Sequence, residues 1–422
     1  MRVVQNTQMH IGEVDVSRIV LDAKSRDDIP QILRGLPHLY IDQNTRAKIF
    51  HLLETELAPE VSKLTGRPGM TFWSIVVCGV IRLDLSIDHD RLHELVNQHN
   101  AIRQRLGHGL FDPASYHFQT LKDNVSLFTP ELLGKINQIV VDTGHDLVKK
   151  KVGEVLRGRC DSFVVETNVH YPTDISLLFD ACRKVIELTA RLSADQGSSD
   201  WRQHAYNVKQ VKRHLRAAQS TKRRKGRNDA QQVFSVFQTH TEWISKGKAG
   251  VPVELGLRVC IMEDQHRFIL HHQVMEKQTD DQVAVAMVKE TKQRFADLES
   301  CSFDKGFHSP ANQQELQAHL KLVALPRKGK LSQQAQAVQN AEDFIKARRQ
   351  HSAVESAINA LEVHGLDRCP DDGIRGFKRY VALAVVARTI HRIGAILREQ
   401  ENRRAKRKTR YADRDMPHKL AA

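Results

Sequence analysis

The stretch CDSFVVETNVHYPTD, residues 160–174, places three carboxylates around one apolar run. Asp161 immediately precedes the run, Glu166 lies inside it, and Asp174 follows Tyr-Pro-Thr. Two more acids occupy positions from which a side chain could reach the same ligand. Asp304 ends the strand-like SCSFD, just before KGFHSP turns towards a helix, and Glu355 sits mid-helix in RRQHSAVESAINALE. Carboxylates at strand ends point into the crevice at a sheet edge, where ligands bind. A helix laid across that edge can supply another. An all-oxygen set of this kind suits Mg²⁺ or Mn²⁺ and not zinc. It can hold two ions about 4 Å apart, the arrangement that acts on phosphodiesters. Each acid also has an ordinary explanation. An Asp ahead of a turn is commonly a cap or turn residue, and a Glu in a helix commonly faces solvent. Spacing leaves both readings open.

These acids need elements to carry them. Residues 1–40 show no clear period and are read as an N-terminal segment, partly disordered. TRAKIFHLLETELAPEV (45–61) has helical spacing, and 69–107 reads as one buried and one amphipathic helix. The helical pattern continues to about 155, so 41–155 is expected to be an α-helical domain of the kind that binds DNA. The pattern then changes. SFVVETNV (162–169) reads as a strand, with VLRGRCD as a source of further strand residues and Glu166 as an alternative inward-facing acid. Asp174 is expected to cap a helix starting at Ile175. A helical, basic insertion over about 175–245 follows. Residues 251–263 and 266–276 read as a hairpin turning at Asp264–Gln265. Helix, strand, helix and strand alternate to KLVALP, and long helices fill 340–364 and the apolar stretch from Gly376. The order is that of an α/β catalytic domain over 156–400 with a helical insertion after its first strand. Residues 401–422 read as a basic C-terminal tail.

Charge points to a polyanionic partner. Lys and Arg outnumber Asp and Glu by 64 to 50 in 422 residues, giving a net charge of +14, and nucleic acid is the commonest partner for such an excess. The excess concentrates in VKQVKRHLRAAQSTKRRKGR (208–227) and RRAKRKTR (403–410). The candidate DNA contacts in the first run are Lys209, Lys212, Arg213, Arg216, Lys222, Arg223, Arg224, Lys225 and Arg227. Six scattered cysteines with no CxxC pair argue for reduced thiols and against a zinc cluster. No apolar run approaches the roughly 20 residues that span a bilayer. The N-terminus lacks a signal-peptide core. The expected compartment is the cytoplasm, with no membrane partner.

DSFVVETNVHYPTDISLL, SFDKGFHSPANQQEL and HSAVESAINALEVHGLDRCPDDGIRGFKRYVALAVVARTIHRIG together resemble the DDE transposases of bacterial insertion sequences, most of all the ISNCY-type group. FWSIVVCGVIRLDLSIDHDRLHELVNQHNAIRQRLG is similar to the helical N-terminal region of the same proteins. The resemblance spans about residues 40–400. It implies a ribonuclease-H-like domain with one Asp on the first strand, one Asp after the fourth and a Glu on a late helix. Here these are Asp161, Asp304 and Glu355. It also implies two Mg²⁺ or Mn²⁺ ions, cleavage and strand transfer at terminal inverted repeats, a homodimer on duplex DNA, and a nucleoid-associated bacterial enzyme. The chain departs from related groups around the last acid, with His351 where an Arg is common and Glu362 where a Lys is common. Arg348 and Arg349 could replace the Arg, and Lys378 or Arg379 the Lys. Glu362, two helical turns from Glu355, is the competing third acid, and His308 is a further accessory candidate. Two other functions share these features: a DNA-binding regulator derived from a transposase, and a metal-dependent nuclease that cleaves without joining.

Overall fold

Helical spacing in the first 150 residues resolves, in the computed structural model, into α1 (Ile29–Ile41), α2 (Gln43–Leu52), α3 (Phe72–Asp84), α4 (His89–Gln98), α5 (Asn100–Arg105), α6 (Phe118–Val125) and α7 (Pro130–Leu147). The structure describes all residues except 1, 7–8, 10–11, 20, 22–24, 26, 58, 60–64, 67, 110–111, 149–152, 200, 220–233, 246–252, 330 and 416–422. Beyond α7 come β1 (Leu156–Thr167), α8 (Asp174–Asp195), α9 (His204–Gln219), β2 (Glu242–Ser245), β3 (Val253–Glu263), β4 (Ile269–Met275), α10 (Asp280–Arg294) and β5 (Leu298–Phe303). The chain ends with α11 (Pro310–His319), β6 (Leu322–Ala324), α12 (Gln333–Gln339), α13 (Glu342–His351), α14 (Ala353–Leu361), β7 (Arg368–Cys369) and α15 (Gly373–Asp415). The protein is mixed α/β.

The sheet is built around β1. On one side β1 runs antiparallel to β3, which is itself antiparallel to β4 and, at its other end, to β2. On the other side β1 runs parallel to β5, and β5 to β6. Past the end of β5, the last residues of β1 pair with β7. The strand expected from 162 thus begins at Leu156. Leu156 and Cys160 are buried, and the ladder to β5 starts there. Asp161 stands mid-strand and not at its start. The β3–β4 turn falls at Asp264 as expected. Its buried carboxylate accepts the N–H groups of His266 (2.8 Å) and Phe268 (2.9 Å) and bonds His145 Nε2 (2.6 Å). Strand β2 lies within the segment read as a helical insertion. It is only four residues long, too short for a period-2 pattern to register.

Three other boundaries moved. The helix after β1 is capped by Thr173, whose side chain accepts the Ser176 N–H (3.2 Å), so Asp174 is its first residue and not its cap. The helix expected over 340–364 breaks at Ser352 into α13 and α14. The chain then leaves the helical path at Gly365, whose φ of 99° suits glycine. Helix α15 continues through residue 401, where a tail was expected. Its 43 residues make a rod of about 65 Å at 1.5 Å per residue. By length and composition α15 could cross a membrane, but 78% of its apolar window is buried inside the protein, as befits a core helix.

The N-terminal helices and the sheet share one contiguous core, not two. Helices α1, α3 and α7 pack on α15, and α7 and α15 both pack on β4. Helix α1 falls in the segment expected to lack order, yet Ile32, Leu33, Leu36 and Leu39 are fully buried. Pro37 inside the helix hides it from sequence reading, because an interior proline ordinarily signals a break. Two glycines let α1 and α15 touch. A Cβ at Gly394 would lie 2.0 Å from Gln31 O, and one at Gly35 would lie 2.3 Å from Ile390 O. Both obstacles are backbone atoms, so the helices would have to separate. Gly394→Ala should lower stability by about 1–3 kcal/mol. Chemical denaturation of the two proteins checks this, and an unchanged midpoint would show that the crossing has room for a methyl group.

Candidate functional site

The ladder between β1 and β5 fixes the first two acids. Cys160 is the register partner of Phe303. The next residue on each parallel strand is Asp161 and Asp304, so the two leave the ladder side by side, about 5 Å apart at the backbone. Strand β5 ends there while β1 continues to pair with β7, which opens a notch in the sheet. Asp304 is exposed and begins the turn Lys305–Phe307. Helix α14 packs against β1 and brings Glu355, exposed in its first turn, to the same notch.

Electrostatics tie the acids together. The Asp161 carboxyl is pushed up to about 6, first by burial and then by the negative charges of Asp304, Asp280 and Glu355, against the Ser162 N–H that it accepts at 2.8 Å. No Lys or Arg among the described residues pairs with Asp161, Asp280, Asp304 or Glu355. Arg159, two residues before Asp161, is instead spent on Glu263 (3.1 Å) and the carbonyl of Asp264. His351 joins the acids. Its Nδ1 lies 3.1 Å from Ser302 Oγ, and both Asp304 and Glu355 act on it. Burial lowers its pKa, with Arg159 adding to the effect, and the two acids oppose it.

Other candidates from the sequence lie elsewhere. Glu166 is five residues from Asp161 in a regular strand, so the two face opposite sides of the sheet, and its carboxylate lies 3.8 Å from Arg368. Glu362 follows the last residue of α14, seven residues beyond Glu355. His308 is placed at the loop of Arg327 and Lys328. Burial and these two cations lower its pKa. Lys328 Nζ reaches Gly306 O (2.9 Å), beside Asp304. Arg348 and Arg349 stand exposed in the last turn of α13. Lys378 pairs with Glu276 (2.5 Å) and Arg379 with Asp371 (3.0 Å). In the basic run, Lys209, Lys212 and Arg213 are exposed on α9. Arg216 lies on the same helix. Lys222, Arg223, Arg224, Lys225 and Arg227 lie outside the described residues.

Sequence reading missed two groupings. One is Asp280, the first residue of α10, which accepts the Ser162 hydroxyl at 2.7 Å and acts on Asp161. The other is Asp84, His364 and His391, whose ligand atoms lie within 4.8 Å of one another and could hold a metal ion. His391 Nδ1 is 2.9 Å from Asp84 Oδ1, and His364 Nδ1 bonds the Asp84 carbonyl. This group binds the end of α3 to the kink after α14 and to α15. A mixed imidazole–carboxylate set favours zinc-like ions over Mg²⁺. Its members are 280 and 307 residues apart from Asp84, so no local spacing announces it. Asp161, Asp304 and Glu355 are less buried than this trio.

No family model, curated protein or solved structure matches the chain.

Proposed function

We propose that the protein is a DDE-type DNA transposase of ribonuclease-H-like fold that cleaves the ends of an insertion sequence and joins them to target DNA. The observation that carries this reading is the meeting of Asp161, Asp304 and Glu355 at one notch, on β1, just after β5 and on α14. With the four-residue β2 counted as part of the insertion, β5 is the fourth strand. The placement is then one Asp on the first strand, one after the fourth and a Glu on a late helix, as the resemblance implies.

The donor set fits Mg²⁺ or Mn²⁺. It consists of hard oxygens, it lacks a Lys or Arg partner among the described residues, and the Asp161 carboxyl is raised by burial and, after it, by the charge of its neighbours. Asp161, Asp304 and Glu355 would hold the ions. When bound, two divalent ions supply Lewis-acid activation of a water or 3′-hydroxyl and stabilise the leaving oxygen. His351, fixed by Ser302 and kept neutral by burial, lines the site without adding a fixed positive charge. The same acids serve cleavage and joining, because both are in-line displacements at phosphorus. Neither step needs a nucleotide triphosphate. Duplex phosphates meet Lys209, Lys212 and Arg213 on α9 and the exposed Arg403, Arg404, Lys406 and Arg407 on the distal part of α15. Bringing two DNA ends together calls for a homodimer on DNA.

An assay containing both element ends, Mg²⁺ and a supercoiled target plasmid tests the reading. Joined products are expected. Cleavage without joining would assign a nuclease, and binding without cleavage a regulator. Binding itself should weaken with salt. Each phosphate contact contributes a slope of about −0.9 to log K against log[salt]. Changing Lys209, Lys212 and Arg213 together to Ala should flatten the slope by up to about 3. The same slope in the triple variant would remove α9 from the interface.

A further inference from the structure

We infer that the exposed apolar stripe of α8 is a docking surface for α8 of a second copy of this chain, with the two helices parallel. One side of α8 is occupied. Helix α9 packs on it, Ile186 and Ser193 are buried, and the Arg183 guanidinium lies 4.1 Å from the centre of the Phe237 ring. The other side is uncovered. Leu178, Ala181, Val185, Leu188 and Leu192 follow one another at steps of three, four, three and four residues. At 3.6 residues per turn this confines them to a stripe about 80° wide. The four larger side chains are between 51% and 66% exposed. They are four of the twelve large apolar side chains that stand exposed among the described residues, so the exposure is concentrated and not scattered. A contiguous apolar patch of this kind marks an interaction site.

The spacing indicates what covers the stripe. Apolar residues at positions a and d of a heptad form the seam of a two-helix coiled coil. Leu178, Val185 and Leu192 take a, and Ala181 and Leu188 take d. Such a seam is complementary to itself, as a twofold interface requires. A β-branched residue at a with leucine at d, as in Val185 and Leu188, favours two parallel strands. Charge points the same way. In a parallel pair each g residue faces the next e residue of the other helix, which sets Lys184 against Thr189 of the second copy. An antiparallel pair sets g against g and would bring Lys184 to Arg191, two like charges. The basic flank also disfavours a cover drawn from this chain's own basic stretches. The longest stretch outside the described residues, 220–233, has Ala230 and Val233 as its only apolar residues, too few for a facing seam. Two heptads are short for a coiled coil. Helix α8 is already held by its other side, however, so pairing carries no cost of helix formation. The stripe contains none of the notch residues, so the inference goes beyond the proposed function and gives a surface to the dimer which that function calls for.

The test is sedimentation equilibrium of the full-length protein at high salt, without DNA. Wild type should form a reversible dimer. Leu188→Lys and, separately, Val185→Lys should raise its dissociation constant at least about tenfold, equivalent to about 1.4 kcal/mol. Ala194→Lys, at an exposed position on the opposite side of the helix, should leave it unchanged. Should Leu188→Lys fail to fold, Leu188→Ser is measured against the same expectation. Cysteine pairing reads the orientation. Cys182 is the one cysteine of six that is not buried, so Cys182→Ser gives a clean background. In that background Leu188→Cys should form an intermolecular disulfide on oxidation with diamide, because d faces d in a parallel pair, and Ala194→Cys should not. A wild type that stays monomeric at every concentration would give the stripe to a different partner and overturn the inference. A dimer that both seam substitutions leave intact, or a Leu188→Cys variant that pairs no faster than Ala194→Cys, would overturn it as well. None of these changes touches the acids, so the joining assay decides the proposed function separately.

Discussion

Asp304→Asn is expected to reduce Mg²⁺-dependent DNA cleavage by at least about 10³-fold, or about 4 kcal/mol of barrier, while DNA binding and fold persist. The amide conserves shape and removes one anionic oxygen from the turn beside Asp161. Asp304 is exposed and makes no cap hydrogen bond with its side chain, so little stability is at stake. Glu355→Gln should be equally inactive. Glu362→Gln should remain active, because Glu362 lies beyond the end of α14, two helical turns past the acid that reaches the notch. Single-turnover cleavage of an end-containing duplex measures all three. An inactive Glu362→Gln beside an active Glu355→Gln would reverse the assignment of the third acid, and wild-type rates in both would dissolve the site.

Asp161→Asn should make the cation-free protein more stable at pH 7.5 although it disables the reaction. The folded Asp161 carboxyl titrates at about 6, against an ordinary 3.8, chiefly because it is buried. The native state therefore holds this proton more tightly than the unfolded chain. Its contribution to stability is complete below about pH 4 and is lost as pH rises towards 6. Above that, an ionised, partly buried carboxylate is retained at a cost. The gap corresponds to about 3 kcal/mol, and partial exposure brings the expected gain from Asn to about 1–3 kcal/mol. The gain should vanish near pH 4. Urea denaturation in a chelator at pH 4 and pH 7.5 compares the two proteins. A variant less stable than wild type at pH 7.5 would mean that the ionised carboxylate is well satisfied without a cation. Adding Mg²⁺ should stabilise wild type and not the variant.

The parts of the site that follow from local chemistry were legible. An Asp closing an apolar run before Lys-Gly-Phe-His-Ser-Pro is a strand followed by a turn, and that is where Asp304 lies. Asp161 could be named but not placed, since LRGRC reads as polar and becomes strand only through pairing with β3 and β5. Asp280 was invisible because its partner, Ser162, is 118 residues away. Pairing across that distance leaves no periodic trace. The same holds for Asp84, His364 and His391. That the N-terminal helices and the sheet bury one common core was illegible for a related reason. Helical and strand periods show which face of an element is apolar, and they do not show that α1, α7 and β4 all bury that face against α15.

That shared dependence on α15 has a consequence for synthesis. The apolar face of α1 is fully buried, and its main partner begins more than 300 residues later. At roughly 5–20 residues per second on the ribosome, α1 is made some 20–70 s before α15 emerges. During that interval α1 has only its lesser neighbours, α2 and α3, to pack on, and most of its apolar face stays uncovered. The nascent chain stays unfinished as a folding unit until its last helix is released, so a truncated product should be a client for chaperones and proteases, not a free-standing DNA-binding fragment.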